Sequence, residues 1–262
     1  MLLRSQLLDA LPIGGVFIVF AIITMACYEG GFRLGRWWQE REPGEQEGPT
    51  GMLVGSILAL QAFLLAVTIG MASDRYDARR GIVLQEANAI GTTYLRAGYL
   101  PEPASSEIRE LLREYVPLRI VVTDSTDVEA DIARSIEIHN ELWAIAEDVA
   151  RTTQSGDLVA LFIESLNETI DLHEARVTAR NARVPETVVL LLVGGSALGL
   201  AMVGYSAGLT RRRSLLSAVV LVLALGAVIM IVVDLDRPRE GFIQVSQQPL
   251  LDLEKQIGPP SP

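Results

Sequence analysis

SLLSAVVLVLALGAVIMIVVDLDRPREGF, residues 214–242, joins an uncharged run, Ser214 to Val233, to a knot of five charged residues between Asp234 and Glu240. A helix that crosses a hydrocarbon core of about 30 Å needs about 20 apolar residues. The stretch therefore reads as a membrane span with its polar exit attached. Three other runs pass the same test: Leu11 to Tyr28, Met52 to Ser73 and Thr187 to Leu209, none with a charge in its interior. The first follows Arg4 as a secretory signal would. It is long for a signal core and lacks an A-x-A-like cleavage site, so it reads as a retained helix.

Half of the 262 residues are hydrophobic and 21% are charged, with a mean hydropathy of +0.33. Apolar and charged residues must therefore be segregated, as in a membrane protein with an extramembrane part. The net charge of -10 and the acidic segment between the second and third spans argue against nucleic-acid binding through a basic surface. Cys27 is the only cysteine, which excludes an intrachain disulfide and a thiolate metal cluster.

The implied fold is all-α: four transmembrane helices in two hairpins, with a helical bundle inserted between the second and third. The expected domains are a first hairpin (1–73), an extramembrane bundle (74–186), a second hairpin (187–233) and a polar tail packing on the bundle (234–262). Four crossings put both termini and the bundle on one side of the membrane. REPGEQEGPTG, from Arg41, reads as an exposed loop. Arginines flank both membrane faces, including Arg33, Arg36, Arg41 and Arg211 to Arg213 on one side, so the positive-inside rule assigns neither orientation.

Within the long segment the second span continues unbroken through DRYDARRGIVLQEANAIGTTYLRAGYL until Pro101 and Pro103. Ser105 or Ser106 is the expected N-cap of the next helix, with Pro117 bending it, and TDSTD (123–127) reads as a turn. The following helix, from Val128 to about Gln154, carries a stripe of Ile132, Ile136, His139, Trp143, Ala146 and Ala150. After a break at Ser155-Gly156-Asp157, the last sets Val159, Ile163, Leu166, Ile170, His173 and Val177 on one face. Such stripes bury against one another in an antiparallel bundle.

Chemistry-bearing patterns are sparse. Both histidines lie on apolar stripes, where a core role competes with a pH switch. Glu164, Glu168 and Asp171 share a face that His173 leaves, and no ExxH or HExxH spacing exists, so no metal or cofactor is expected. No nucleophile elbow or glycine-rich phosphate loop appears, and no enzyme is expected.

The membrane helices say more. On the second span Ile57, Gln61, Leu64, Thr68, Met71 and Arg75 recur at steps of four and three. Polar groups inside lipid need partners or water, so Gln61 and Thr68 make either interhelical hydrogen bonds or the wall of an aqueous path. Gln61, Leu64, Thr68, Met71 and Arg75 are the candidate pore-lining residues. Gly195, Gly199, Gly204 and Gly208 are small-residue pairs that let another helix approach closely. Asp74, Asp77, Arg79, Asp234, Asp236, Arg237 and Arg239 gather where the second and fourth spans end, either anchoring the exits by pairing or ringing a pore mouth.

Three stretches, DRYDARRGIVLQEANAIGTTYLRAGYLPEP (74–103), ALFIESLNETIDLHEARVTARNARVP (160–185) and DLDRPREGFIQVSQQPLLDL (234–253), resemble the bestrophin-like bacterial integral membrane proteins. More distantly the chain is similar to bestrophins, pentameric anion channels whose helical cytosolic region lies between the second and third of four membrane helices. Ala72 to Arg79 is similar to the bestrophin segment that ends the second membrane helix, with one aromatic residue where bestrophins have two. The resemblance implies homo-oligomers in the lipid bilayer of a bacterial inner membrane that conduct small anions, with Leu60, Leu64 and Val67 as candidates for the apolar constriction. The acidic calcium clasp of animal bestrophins has no match. A different class stays open: a non-conducting sensor or scaffold whose bundle binds a protein partner.

Overall fold

A computed structural model describes residues 11–42, 47–120, 128–152, 156–237 and 241–259. Arg4, TDSTD (123–127), Ser155, Arg239 and the middle of the first linker lie outside them. Among the described residues every regular element is helical: α1 (Ile13–Arg41), α2 (Glu47–Ala97), α3 (Ala104–Arg119), α4 (Val128–Thr152), α5 (Gly156–Asn181), α6 (Glu186–Leu209), α7 (Leu215–Asp236) and α8 (Gln248–Ile257). Helices long and apolar enough to cross a membrane lie in α1, α2, α6 and α7. The chain forms two compact units, Met1–Arg75 with Arg183–Gln244, and Tyr76–Ala182 with Val245–Pro262.

In the first unit, here the membrane unit, α1 and α6 touch backbone to backbone. A Cβ added at Gly31 would strike the carbonyl oxygen of Ala201, and one at Gly35 that of Tyr205. From the other side Gly204 faces the carbonyl of Tyr28, and Gly208 that of Phe32. Small residues four apart on both helices make this possible. Lipid tails are as apolar as leucine, so membrane helices associate through such close packing rather than through the hydrophobic effect. Gly204→Ala is expected to lower the stability of this unit by about 1–3 kcal/mol. Gly30→Ala, where a Cβ would meet nothing within 4 Å, is expected to leave the thermal midpoint in detergent unchanged. Equal midpoints for the two variants would refute the contact.

α2 is 51 residues long, about 77 Å at 1.5 Å per residue, and the boundary between the units falls inside it at Arg75–Tyr76. Its helix begins at Glu47, so the first linker is shorter than REPGEQEGPTG suggests; proline is tolerated in a first turn because its missing N–H would be unpaired there anyway.

The second unit, here the helical unit, has a core of Val83, Ala87 and Ile90 from α2, Ile108, Leu112 and Tyr115 from α3, Ile138 and Leu142 from α4, and Phe162 and Leu166 from α5. Leu250, Leu253 and Ile257 of α8 complete it. Two expectations need correction. The α4 stripe is rotated: Ser135, Ile138, Leu142 and Val149 are buried beside His139, whereas Ile136 and Trp143 are exposed. Isoleucine and tryptophan weigh heavily in any hydrophobic pattern, and here they sit on the rim. Nor does a serine cap α3, which begins at Ala104; the Glu102 carboxylate accepts the Ser106 N–H at 3.2 Å instead.

Candidate functional site

In the membrane unit the α2 span divides into two faces. Gln61, Leu65, Thr68 and Ala72 are buried, while Leu53, Leu60, Phe63 and Val67 are exposed along the opposite side. Gln61 is 2% exposed, and its Nε2 donates to the Leu192 carbonyl and to Ser196 Oγ, each at 2.9 Å. Its Oε1 lies over Gly195, which has no side chain to displace it. Thr68 Oγ1 donates to the Leu64 carbonyl at 2.8 Å. Gln61 is thus an interhelical hydrogen bond between α2 and α6, and the pairing of Gln61 with Gly195 fixes which face of α2 turns outward. Leu64, Met71 and Arg75 are half-buried on the flanks, and Arg75 Nη1 is buried without a hydrogen-bond partner. Gly199 lies against Leu58.

The charge knot at the end of α7 acts on backbone. Asp234 accepts the N–H groups of Phe242 at 2.8 Å and Ile243 at 3.0 Å, closing the chain back on the end of α7. Gly241 sits in the left-handed half of conformational space at φ +137°, and a Cβ there would strike Asp234 Oδ1. Glycine meets both demands at once. Asp236 accepts the Val184 N–H at 2.7 Å, and Arg237 donates to the Leu11 carbonyl at 2.8 Å. A carboxylate that takes backbone N–H groups satisfies donors that burial would otherwise leave costly. Asp74 is exposed at the end of the membrane unit; in the helical unit Asp77 is exposed and Arg79 buried.

The helical unit holds a buried polar cluster that the sequence reading did not anticipate. Glu86 of α2 is fully buried; Arg119 Nε donates to it at 2.7 Å, and Arg176 Nη1 donates to its other oxygen. Arg176 Nη2 also reaches the Arg119 carbonyl at 2.9 Å and Gln247 Oε1 at 2.7 Å, just before α8. Tyr115, His139 and His173 stack beside this ion triad. The two imidazoles meet edge to face at 4.9 Å, and Tyr115 Oη lies 3.3 Å from His173 Nδ1. Burial, reinforced by Arg119, pushes His139 down to about 4 and His173 down to about 3, so both are neutral near pH 7. Burial also drives the Tyr115 phenol up. Glu86 is the one charged residue between Arg80 and Arg96 and sits at helical spacing from Val83 and Ile90, a signal of burial, but no sequence pattern shows that two arginines distant in the chain converge on it.

Among the described residues no three His, Cys, Asp or Glu side chains converge to hold a metal ion. A family model of the bestrophin-like domain matches residues 18–250. The chain belongs to the bestrophin-like family. Solved structures agree at the level of the fold: that of a bacterial bestrophin homologue from Klebsiella pneumoniae is 12% identical, with a TM-score of 0.63 over 92% of this chain and 96% of that one. A variant of that homologue is 13% identical, with a TM-score of 0.66 over 94% and 97%. A crystal structure of a membrane protein gives 13% identity and a TM-score of 0.64 over 94% and 97%. No curated protein matches the chain. This bestrophin-like chain is a multi-pass membrane protein, and Gln61, Thr68 and the exposed face of α2 lie within the matched region.

Proposed function

We propose that this bestrophin-like protein assembles as a homo-oligomer and conducts small anions along the outward face of α2. The observation that carries the reading is the polarity of that helix: Gln61 and Thr68 make their hydrogen bonds inside the subunit, leaving the uncharged row Leu53, Leu60, Phe63 and Val67 exposed. Copies arranged around an axis would bring that row from each subunit toward a shared path. Leu60 and Val67 then form the constriction, with Leu64, Met71 and Arg75 at its edges. Gln61 acts from behind by holding the rotation of the helix, while Thr68 satisfies its hydroxyl within α2. The spans form two hairpins in the inner membrane, and the domains follow 1–73, 74–186, 187–233 and 234–262, with both termini and the bundle on one side. Asp74, Asp77, Asp234, Asp236 and Arg237 belong to the exits, where backbone anchoring supports the blander of their two roles.

The test is chloride flux from liposomes holding the purified protein, with sodium flux measured in parallel. Val67→Ala should raise chloride flux several-fold by widening the constriction, and Gln61→Leu should reduce it by letting α2 rotate. Sodium flux exceeding chloride flux would reverse the assigned selectivity. Absence of any flux at verified incorporation would favour a non-conducting sensor or scaffold whose bundle binds a partner.

A further inference from the structure

Where α1 ends and α6 turns into α7, the membrane unit gathers arginines and tryptophans. α1 is 29 residues long, about 44 Å at 1.5 Å per residue, against a hydrocarbon core of about 30 Å. It therefore outruns the hydrocarbon. Gly208, in the last turn of α6, lies against Phe32 and Arg36 of α1, so the apolar length of α6 gives out level with Arg36. From Arg36 to Arg41 the helix rises about 8 Å further, the depth of one head-group layer. Trp37 and Trp38 stand exposed in that segment, with the Arg41 guanidinium 3.9 Å from the centre of the Trp37 ring. Tryptophan is favoured where hydrocarbon meets water, and long cationic side chains reach the head groups from there.

The turn between α6 and α7 comes to the same place. Arg213 donates to one oxygen of Glu29 at 2.6 Å and lies over the Phe32 ring, while Arg33 donates to the other oxygen at 3.0 Å. Arg36 pairs with Glu40 at 3.5 Å. Arg211 and Arg212 are exposed, and their guanidiniums have no partner among the described residues. Glu45 and the side chain of Glu47 lie outside those residues; counted with Glu29, Glu40 and Glu42 they set five carboxylates against six arginines at this end. An anion is therefore drawn by place and shape rather than by a large surplus of charge. We infer that this end of the membrane unit binds phospholipid phosphates, with Arg211 and Arg212 as the donors and Trp37 and Trp38 level with the glycerol. A guanidinium matches two oxygens of one phosphate, and the end of a span is surrounded by such groups. Anionic phospholipids are the preferred class, because they carry no ammonium of their own to compete for the phosphate. The site stands independently of conduction.

The experiment is thermal unfolding of the full-length protein in a neutral maltoside detergent, titrated with phosphatidylglycerol, with diacylglycerol of the same chains, and with inorganic phosphate. A ligand that binds only the folded state raises its stability in a saturable way. Phosphatidylglycerol is expected to raise the midpoint with saturation where the other two do not. An Arg211→Gln, Arg212→Gln variant should weaken its apparent affinity about tenfold or more, and both side chains are exposed, so the fold should survive. Arg151→Gln, an exposed arginine of the helical unit, should change nothing. A second measurement is tryptophan fluorescence in liposomes whose lipids are brominated near the head-group end of the chain or near its tail, with Trp143 changed to phenylalanine so that Trp37 and Trp38 report. Shallow bromines should quench more than deep ones. An equal response to diacylglycerol or to inorganic phosphate, a response that the double variant leaves intact, or quenching no stronger from shallow bromines would overturn the site. Flux measurements do not bear on these outcomes, so conduction and the lipid site fail separately.

Discussion

Lowering the pH from about 7 to about 4.5 is expected to cost the helical unit about 5 kcal/mol, most of it through His139 and His173. Both imidazoles are held neutral, down to about 4 and about 3, by burial and by the nearby Arg119. In the unfolded chain each titrates near 6.5. Above that value both states are neutral and the histidines do not affect stability. As the pH falls below it the unfolded state takes up protons that the folded state refuses, so stability drops at up to two protons per molecule. The loss levels off only near the folded values. Arg119, Arg176 and Glu86 face the pair from α3, α5 and α2, and Tyr115 contacts both rings. Chemical denaturation followed by Trp143 fluorescence, with Trp37 and Trp38 changed to phenylalanine, reads this unit. A His139→Phe, His173→Gln variant should flatten the slope between about pH 6.5 and 4.5. An unchanged slope would place the acid sensitivity in carboxylates instead.

Much of the fold is legible in the sequence because its largest signals are local. Apolar run length finds the spans, and Pro101 with Pro103 ends α2 because neither can continue the hydrogen-bond ladder. The role of Gly204 and Gly208 is also visible as a spacing of four. Gly31 and Gly35 carry the same spacing and meet α6 as closely, yet they sit beside Arg33 and Arg36, where charge suggests an exit from the membrane rather than packing. What sequence does not carry is rotation. Gln61 reads as a hydrogen bond sooner than as a pore wall, but its partner is invisible until Ser196 and Gly195, more than 130 positions on, are brought against it. The same limit hides the polar cluster: Glu86 stands out as a lone charge between Arg80 and Arg96, but its segment does not name Arg119 and Arg176 as its partners. Only the packing of α2, α3 and α5 turns them into a buried triad. The knot at 234–242 lies between these cases: its carboxylates announce a boundary, and only geometry shows that they receive backbone N–H groups.

Glu86→Ala should destabilise the helical unit by about 3–5 kcal/mol, the usual cost of removing one partner from a buried ion pair, and a large share of the 5–15 kcal/mol that holds a typical domain. The loss of a side chain in a void is the smaller part. Arg119 and Arg176 would each keep a buried charge with its main acceptor gone, and Arg176 would be drawn from Gln247 toward water. The N-terminal turn of α8 should loosen with it, which limited proteolysis would detect as faster release of the C-terminal segment. Charge and shape can be separated. Glu86→Gln keeps the volume but not the charge, and should recover only a minor part of the loss. Replacing the whole triad, Glu86→Leu with Arg119→Leu and Arg176→Met, removes the charges together and should restore most of the stability, because apolar replacements of buried ion clusters are often neutral or better. If the triple variant is as unstable as Glu86→Ala, shape rather than charge balance governs this core.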